Sequence, residues 1–129
     1  MEQYLMDALV QVKRMGNLLN EVQDLTRQMA EAMDRNDQES VRMLVGMRQE
    51  PIEGLEQADQ ALRDQITSCA DPLRGRRLAD LLNGAAEPEG EEEKLLSGQI
   101  AANQRRLEQV KQLDKILNQR MAREKSAYQ

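Results

Sequence analysis

The sequence predicts an all-α protein in which long amphipathic helices form a single domain over residues 1–129. Helix-favouring residues dominate the chain, whereas aromatic residues make up only 2% of it. Apolar residues recur at steps of three and four along three long segments, and short polar segments with turn and capping residues separate these. We therefore expect a three- or four-helix bundle, or a coiled-coil-like arrangement, around a modest core.

The first two helices are predicted to form a long antiparallel hairpin, at about 3–34 and 38–69. The polar segment between them contains Asn36 and Glu39, which have the spacing of a capping box and predict the start of the second helix. The apolar stripe of the first helix consists of Leu5, Leu9, Val12, Met15, Leu19, Val22, Leu25, Met29 and Met33.

The second helix contains Pro51, which has no amide hydrogen to donate to the carbonyl of Met47. Its apolar stripe continues in phase across this proline, so we predict a kink and no break. The stripe consists of Val41, Leu44, Val45, Met47, Ile52, Leu55, Ala58, Leu62, Ile66 and Cys69. Folding the hairpin back places Gly16 level with Gly54, where two glycines allow a close approach of the backbones. Cys69, the single cysteine, is expected to be a small buried residue at the helix end, because the chain has no partner cysteine and no histidine to activate it.

A short third helix is predicted at about 72–83. Asp71-Pro72 supplies an N-cap and a first helical residue, and Asn83-Gly84 supplies the C-terminal cap. Residues 84–93 then combine two Gly, one Pro and five Glu, which predicts a flexible acidic linker. The run Glu91–Glu93 is typical of a solvated first helical turn, where negative charge is favourable.

The last long helix is predicted at about 91–125, and it is the basic part of an acidic chain. Residues 103–129 hold seven Lys/Arg against three Asp/Glu, within a formal net charge of −5 for the whole chain. Such a segment is typical of a solvated helix with C-terminal cations. It is also suited to docking on an acidic partner or on the acidic remainder of the chain.

The composition argues against most kinds of catalytic site and metal site. Without histidine or a second cysteine, the chain cannot form a His-dependent triad, a phospho-accepting histidine, a Cys/His zinc site or a ferritin-like di-iron site. It has no Gly-rich phosphate loop. We expect no enzyme activity and no cofactor. The acidic balance and the scarcity of aromatic residues argue against nucleic-acid binding. The short apolar runs and the absence of a signal-like N-terminus predict no membrane insertion and a cytoplasmic location.

The turn region carries a resemblance to a known family. The first helix ends in a polar turn with acidic residues, and the second opens with apolar residues, then Arg48-Gln49-Glu50, then Ile52-Glu53-Gly54-Leu55. Together with the layout of three long helices, this resembles the FlgN/FliT-type flagellar export chaperones. Pro51 and the short helix at about 72–83 depart from that family's pattern.

The resemblance implies a cytosolic chaperone that binds late-assembling flagellar subunits, such as hook-associated or filament-cap proteins. Such recognition places an amphipathic helix of the partner in an apolar groove. We predict that the C-terminal helix supplies the partner-binding residues, which are Leu96, Ile100, Asn103, Leu107, Val110, Leu113, Leu117 and Met121.

Three alternatives remain open from the sequence. The same stripe is also typical of plain bundle core, in a scaffolding protein. In a homodimeric coiled-coil adaptor, Asn103 would set the register between two copies, although the stripe around Asn103 is equally consistent with simple exposure. Residues 107–125 also resemble the opening helix of all-helical chorismate mutases, in which Arg and Lys bind a dicarboxylate, but two further helices of that family have no counterpart in this sequence.

Overall fold

The computed structural model describes the backbone of residues 2–127 and the side chains of residues 2–124. Residues 1, 128 and 129 of the predicted domain lie outside the described residues. The described chain forms four helices, α1 (Gln3–Asp34), α2 (Gln38–Thr67), α3 (Pro72–Leu82) and α4 (Gly90–Ala127). The predicted all-α class and the order of three long helices and one short helix are confirmed. Each predicted boundary lies within about two residues of the observed one.

The turn between α1 and α2 differs by one residue from the prediction. Asn36 has a φ of 57° and ends α1 in a Schellman motif, because its amide donates to Met33 O while the Asp37 amide donates to Ala32 O. The N-cap of α2 is Asp37, whose Oδ1 accepts the Ser40 amide at 3.1 Å. The capping box built on Asn36 and Glu39 is therefore wrong. The Ser40 hydroxyl also donates to Asp37 Oδ2, at 2.6 Å, and this bond together with the one from the Ser40 amide lowers the pKa of the Asp37 carboxyl.

The helix α2 passes through Pro51 without interruption, as the continuous apolar stripe predicted. Pro51 is itself buried, and Leu44, Ala58 and Leu62 are buried on the same helix. Val45 and Met47, which belonged to the predicted stripe, are exposed. The buried face of α2 is thus narrower than the sequence pattern suggested, although its central residues are correctly assigned.

The helix α1 is the central element, since α2 and α4 both pack along it. α2 runs antiparallel to α1 as the second arm of the hairpin. α4 runs parallel to α1, because successive α1–α4 contacts advance along both helices: Asn103 bonds Val12, Gln109 bonds Gln23 and Arg120 bonds Asp34. In the described part of the chain, α2 and α4 make no extended contact with each other.

The short helix α3 covers one end of the bundle between α2 and α4. Asp71 caps its N-terminus by accepting the Leu73 amide at 3.0 Å, and Gly84, with a φ of 71°, ends it in a second Schellman motif. Both predicted caps are confirmed. At Gly75 an added Cβ would lie 2.9 Å from the carbonyl oxygen of Ile66. A glycine therefore permits the close approach of α3 to α2.

Two apolar clusters form the core. The first joins all four helices and contains Leu5, Ala8, Leu9, Val12, Leu62, Leu78, Leu81 and Leu96. The second joins α1, α2 and α4 near the hairpin turn and contains Met29, Ala32, Met33, Leu44 and Leu117. Cys69 lies half-buried in the segment after α2, next to Gly75, so it is less buried than predicted.

Candidate functional site

The most distinctive surface feature is an apolar groove between α2 and α4, which we call the α2–α4 groove. It exists because α2 and α4 flank α1 without closing on each other, while α3 is only 11 residues long and fills one end of the space. A full four-helix bundle would place a fourth helix along this whole space. The bundle is therefore incomplete over the part that α3 does not reach.

All four helices contribute to the α2–α4 groove, whose volume is about 430 Å³. The floor comes from α1, and α3 forms the end wall with Ala79, Leu82 and Asn83. Asp59 and Arg63 stand on the α2 rim and form an ion pair at 2.9 Å, while Gln104 stands on the α4 rim. The apolar lining consists of Val12, Met15, Leu19, Leu62, Ile66, Leu82, Ile100 and Leu107.

The eight predicted partner-binding residues of α4 fall into two groups. Ile100, Asn103 and Leu107 line the α2–α4 groove, and Leu107 is the most open of them, with 38% of its surface exposed. The others are turned away from solvent: Leu96, Val110 and Leu117 are buried, and Leu113 and Met121 are half-buried against the second core cluster. The described helix is thus docked along its length, and three of the eight residues are brought to a shared surface.

Asn103 joins α4 to α1 and is not part of an exposed stripe. Its Nδ2 donates to the carbonyl oxygen of Val12 at 2.8 Å, and its Oδ1 accepts from Gln99 Nε2 at 3.0 Å. It packs over Gly16, where an added Cβ would lie 2.7 Å from the Asn103 Oδ1. Gly54 instead packs against Leu18. The predicted pairing of the two glycines is therefore wrong, because Gly16 faces α4 and not α2.

A polar bridge closes the space between α2 and α4 beyond the groove. Arg48 of α2 donates from Nη1 to Asp114 Oδ1 of α4 and, at 3.1 Å, to Thr26 Oγ1 of α1. Thr26 is fully buried and donates in turn to the Val22 carbonyl at 2.6 Å. This bridge is a polar contact that joins all three long helices, in addition to the two apolar clusters. It lies between the α2–α4 groove and the second core cluster.

The polar bridge predicts that substitutions of Arg48 and Asp114 have non-additive effects on the free energy of unfolding. We expect Arg48→Met to lower the free energy of unfolding by about 1–2 kcal/mol, because it leaves the half-buried Asp114 carboxylate and Thr26 without their donor. The double variant R48M/D114L should lie within about 1 kcal/mol of the native chain, since paired apolar groups often replace an ion pair without loss. Urea denaturation of the native chain, both single variants and the double variant measures this, and simple additivity would contradict it.

A second ion pair fixes α3 against the start of α4. Arg77 Nη2 contacts Glu93 Oε1 at 2.6 Å and also donates to the Glu87 carbonyl at 2.7 Å. The hydrogen bond from Arg77 lowers the pKa of the Glu93 carboxyl and raises that of the guanidinium. The prediction of a solvated Glu91–Glu93 turn is therefore wrong for Glu93. The predicted linker is non-helical only up to Glu89, since α4 begins at Gly90.

Within the described side chains, the basic part of α4 forms an exposed ion pair with the acidic remainder of the same chain. Arg120 donates from Nη1 to Asp34 Oδ1 at 2.8 Å, at the end of α1. Among the described residues, no group of three or more acidic or cysteine side chains is placed to hold a metal ion, and no helix has the length and apolar character needed to cross a bilayer. The lining of the α2–α4 groove is suited to apolar contact and not to acid–base chemistry.

Sequence reasoning missed most of the α2–α4 groove. Met15 and Leu19 were predicted only as members of the apolar stripe of the first helix, and Leu82 lies within the predicted short helix. The steps of three and four showed that these residues face inward, but the stripe cannot show that part of the facing position is empty.

Comparison with known proteins gives no relative from which to infer a function. No family model matches the chain, and neither the curated proteins nor the solved structures include one that matches it.

Proposed function

We propose that the chain is a non-enzymatic, protein-binding helical bundle that acts as a cytoplasmic flagellar export chaperone. The observation that carries this proposal is the α2–α4 groove, a mainly apolar space to which all four helices contribute. An amphipathic helix of a late-assembling subunit, such as a hook-associated or filament-cap protein, would bury apolar surface there and be kept from self-association. The binding itself needs no cofactor.

The flagellar part of the proposal rests on the resemblance of the hairpin turn to FlgN/FliT-type chaperones. The segment that carries the resemblance surrounds the α1–α2 turn and extends to Leu55 in α2. Arg48, within that segment, forms the polar bridge to α4. One of the resembling residues thus helps to hold α4 beside the hairpin. The α2–α4 groove stays open while α4 is held in this position.

Of the partner-binding residues predicted on α4, this proposal assigns direct contact to those that line the α2–α4 groove. Ile100, Asn103 and Leu107 can meet a partner while α4 stays docked, because they already line the α2–α4 groove. Leu96, Val110 and Leu117 would be reached only if α4 left α1, since they are buried. A partner that binds in the α2–α4 groove leaves both core clusters intact, whereas release of α4 would expose parts of both clusters.

The second candidate is a homodimeric adaptor, and one observation favours it. Met43 and Met47 are exposed on α2, and Met47 lines a second depression between α1 and α2, outside the α2–α4 groove. Exposed methionines are adaptable contact residues. Sedimentation equilibrium of the isolated chain separates the two candidates, because an adaptor would be dimeric without any client.

Leu107→Glu tests the proposed function. It places a carboxylate in the α2–α4 groove, and we expect it to weaken binding of the hook-associated or filament-cap subunit of the source organism at least about tenfold. Isothermal titration with purified subunits measures the effect.

The matched control is Ile116→Glu, on the same helix. Ile116 is 53% exposed and does not line the α2–α4 groove, so this variant should bind like the native chain. Circular dichroism confirms that both variants stay helical. If the native chain binds none of these subunits, the chaperone function is rejected. If both variants lose the same amount of affinity for the subunit, the groove is rejected as the binding site.

A further inference from the structure

We propose that Gly16 and Asn103 form the pair that positions the α4 wall of the α2–α4 groove. The missing side chain of Gly16 lets the Asn103 carboxamide reach the Val12 carbonyl, and this bond holds the wall against the floor. The consequence for partner binding rests on the proposed function, whereas the consequence for the position of α4 does not.

The stretch of α4 that forms this wall has few apolar anchors. Its groove-lining residues lie between Ile100 and Leu107, whereas the nearest buried residues of α4 are Leu96 before them and Val110 after them. Ile100 packs half-buried against the first core cluster, but none of residues 97–109 is buried. Apolar burial therefore holds this stretch mainly at its two ends.

A single hydrogen bond joins the wall to α1 between those ends. Asn103 Nδ2 donates to the carbonyl oxygen of Val12 at 2.8 Å, and Val12, which is 2% exposed, is part of the groove floor. The next hydrogen bond between the two helices joins Gln23 and Gln109, neither of which lines the groove. Among the described residues, the bond from Asn103 is thus the one that connects wall and floor directly.

Gly16 provides the room for this bond. An added Cβ would lie 2.7 Å from Asn103 Oδ1 and 3.0 Å from Gln99 Nε2, and these two carboxamides are bonded to each other at 3.0 Å. The place of an alanine methyl group is therefore already occupied. Since glycine weakens a helix interior relative to alanine, Gly16→Ala should favour the α1 helix while displacing the Asn103 carboxamide from the Val12 carbonyl.

A double-mutant cycle of Gly16→Ala and Asn103→Ala in the full-length chain tests the pairing, with hydrogen exchange of amides 97–109 measured by NMR. Gly16→Ala alone should lower the protection of these amides about tenfold, because the bond to Val12 is lost. In the N103A background the carboxamide is absent, so Gly16→Ala should leave protection unchanged or raise it. A loss of equal size in both backgrounds would overturn the pairing.

The matched control is Gly98→Ala, on the exposed side of α4. An added Cβ at Gly98 would meet no atom within 4 Å, so this variant should not lower protection. The side-chain amide protons of Asn103 report the bond itself. They should exchange more slowly than those of the exposed Asn118 in the native chain and at a similar rate in Gly16→Ala. Slow exchange of these protons in Gly16→Ala would also overturn the pairing.

Asn103→Asp extends the test to binding, because the carboxylate keeps the shape of the side chain but cannot donate to Val12. We expect Gly16→Ala and Asn103→Asp each to weaken binding of the hook-associated or filament-cap subunit about fivefold in isothermal titration. Asn118→Asp makes the same charge change at an exposed site of α4 and should bind like the native chain.

The two measurements separate this pair from the proposed function. If the native chain binds no such subunit, the chaperone function fails, and hydrogen exchange alone decides whether Gly16 and Asn103 position α4. If Gly16→Ala lowers the protection of α4 but binds the subunit like the native chain, the pair does not position the binding site.

Discussion

Leu78→Ala should lower the free energy of unfolding by about 3 kcal/mol. Leu78 is 1% exposed and belongs to the first core cluster, where it joins α3 to residues of α1, α2 and α4. Removing three of its side-chain carbons loses their burial and leaves a cavity that four helices from different directions cannot easily fill. Urea denaturation followed by circular dichroism measures the change.

The matched control for Leu78 lies on the same helix. Leu73 is 78% exposed, so Leu73→Ala should change the free energy of unfolding by no more than about 0.5 kcal/mol. An equally small effect of Leu78→Ala would show that α3 is not anchored in the core. Because α3 forms the end wall of the α2–α4 groove, Leu78→Ala should also weaken binding of the flagellar subunit, whereas Leu73→Ala should not.

The helices themselves could be read from the sequence because local chemistry determines them. The steps of three and four in the apolar residues set their extent, and Asp71 and Gly84 set the ends of α3. At the hairpin turn the same reasoning failed by one residue. Asn36 and Asp37 can each cap a helix, and the pattern does not say which takes the left-handed conformation and which accepts the amide.

The partners of α4 could not be read from the sequence. A stripe shows that a helix is buried on one face, but α4 is parallel to α1 because of contacts such as that between Asn103 and Val12, which are distant in the chain. The ion pairs of Arg48 with Asp114 and of Arg77 with Glu93 are likewise long-range. In a chain that is 32% charged, each of these residues has many candidate partners.

The candidate site was predictable only in part, because it too depends on contacts between residues that are distant in the chain. Ile100, Asn103 and Leu107 were identified on α4, and they do face a shared surface. The rest of the α2–α4 groove depends on the shortness of α3 relative to the space between α2 and α4. That property belongs to the assembled bundle and has no signature within any one helix.

The two core clusters hold the two ends of α4 separately, so the two halves of this helix can differ in stability. The first cluster includes α3 and the start of α4, whereas the second holds the C-terminal half of α4 through Leu117. Between them, α1 and α4 are joined by hydrogen bonds, with Gln23 bonded to Gln109 and Thr26 reaching Asp114 through Arg48, and Val110 of α4 is buried in the same region. The second cluster is therefore the main apolar anchor of the C-terminal half of α4, and we expect this half to open without the N-terminal half when the anchor is weakened.

Leu117→Ala tests this dependence, because Leu117 is 1% exposed at the centre of the second cluster. We expect a loss of about 3 kcal/mol in the stability of the C-terminal half of α4, which is about a hundredfold loss of amide protection there. Hydrogen exchange measured by mass spectrometry follows peptides from α4 and α1 separately. Protection in the N-terminal half of α1, held by the first cluster, should fall less.

The control, Ile116→Ala, changes the neighbouring residue on the exposed side and should leave protection of α4 close to native. If Leu117→Ala opens the C-terminal half of α4 and also strengthens binding of a flagellar subunit, the subunit binds the released helix, and Val110, Leu113 and Met121 act as contacts. If it opens α4 and weakens binding, the subunit needs α4 docked, because Ile100, Asn103 and Leu107 form a wall of the α2–α4 groove only while α4 lies along α1.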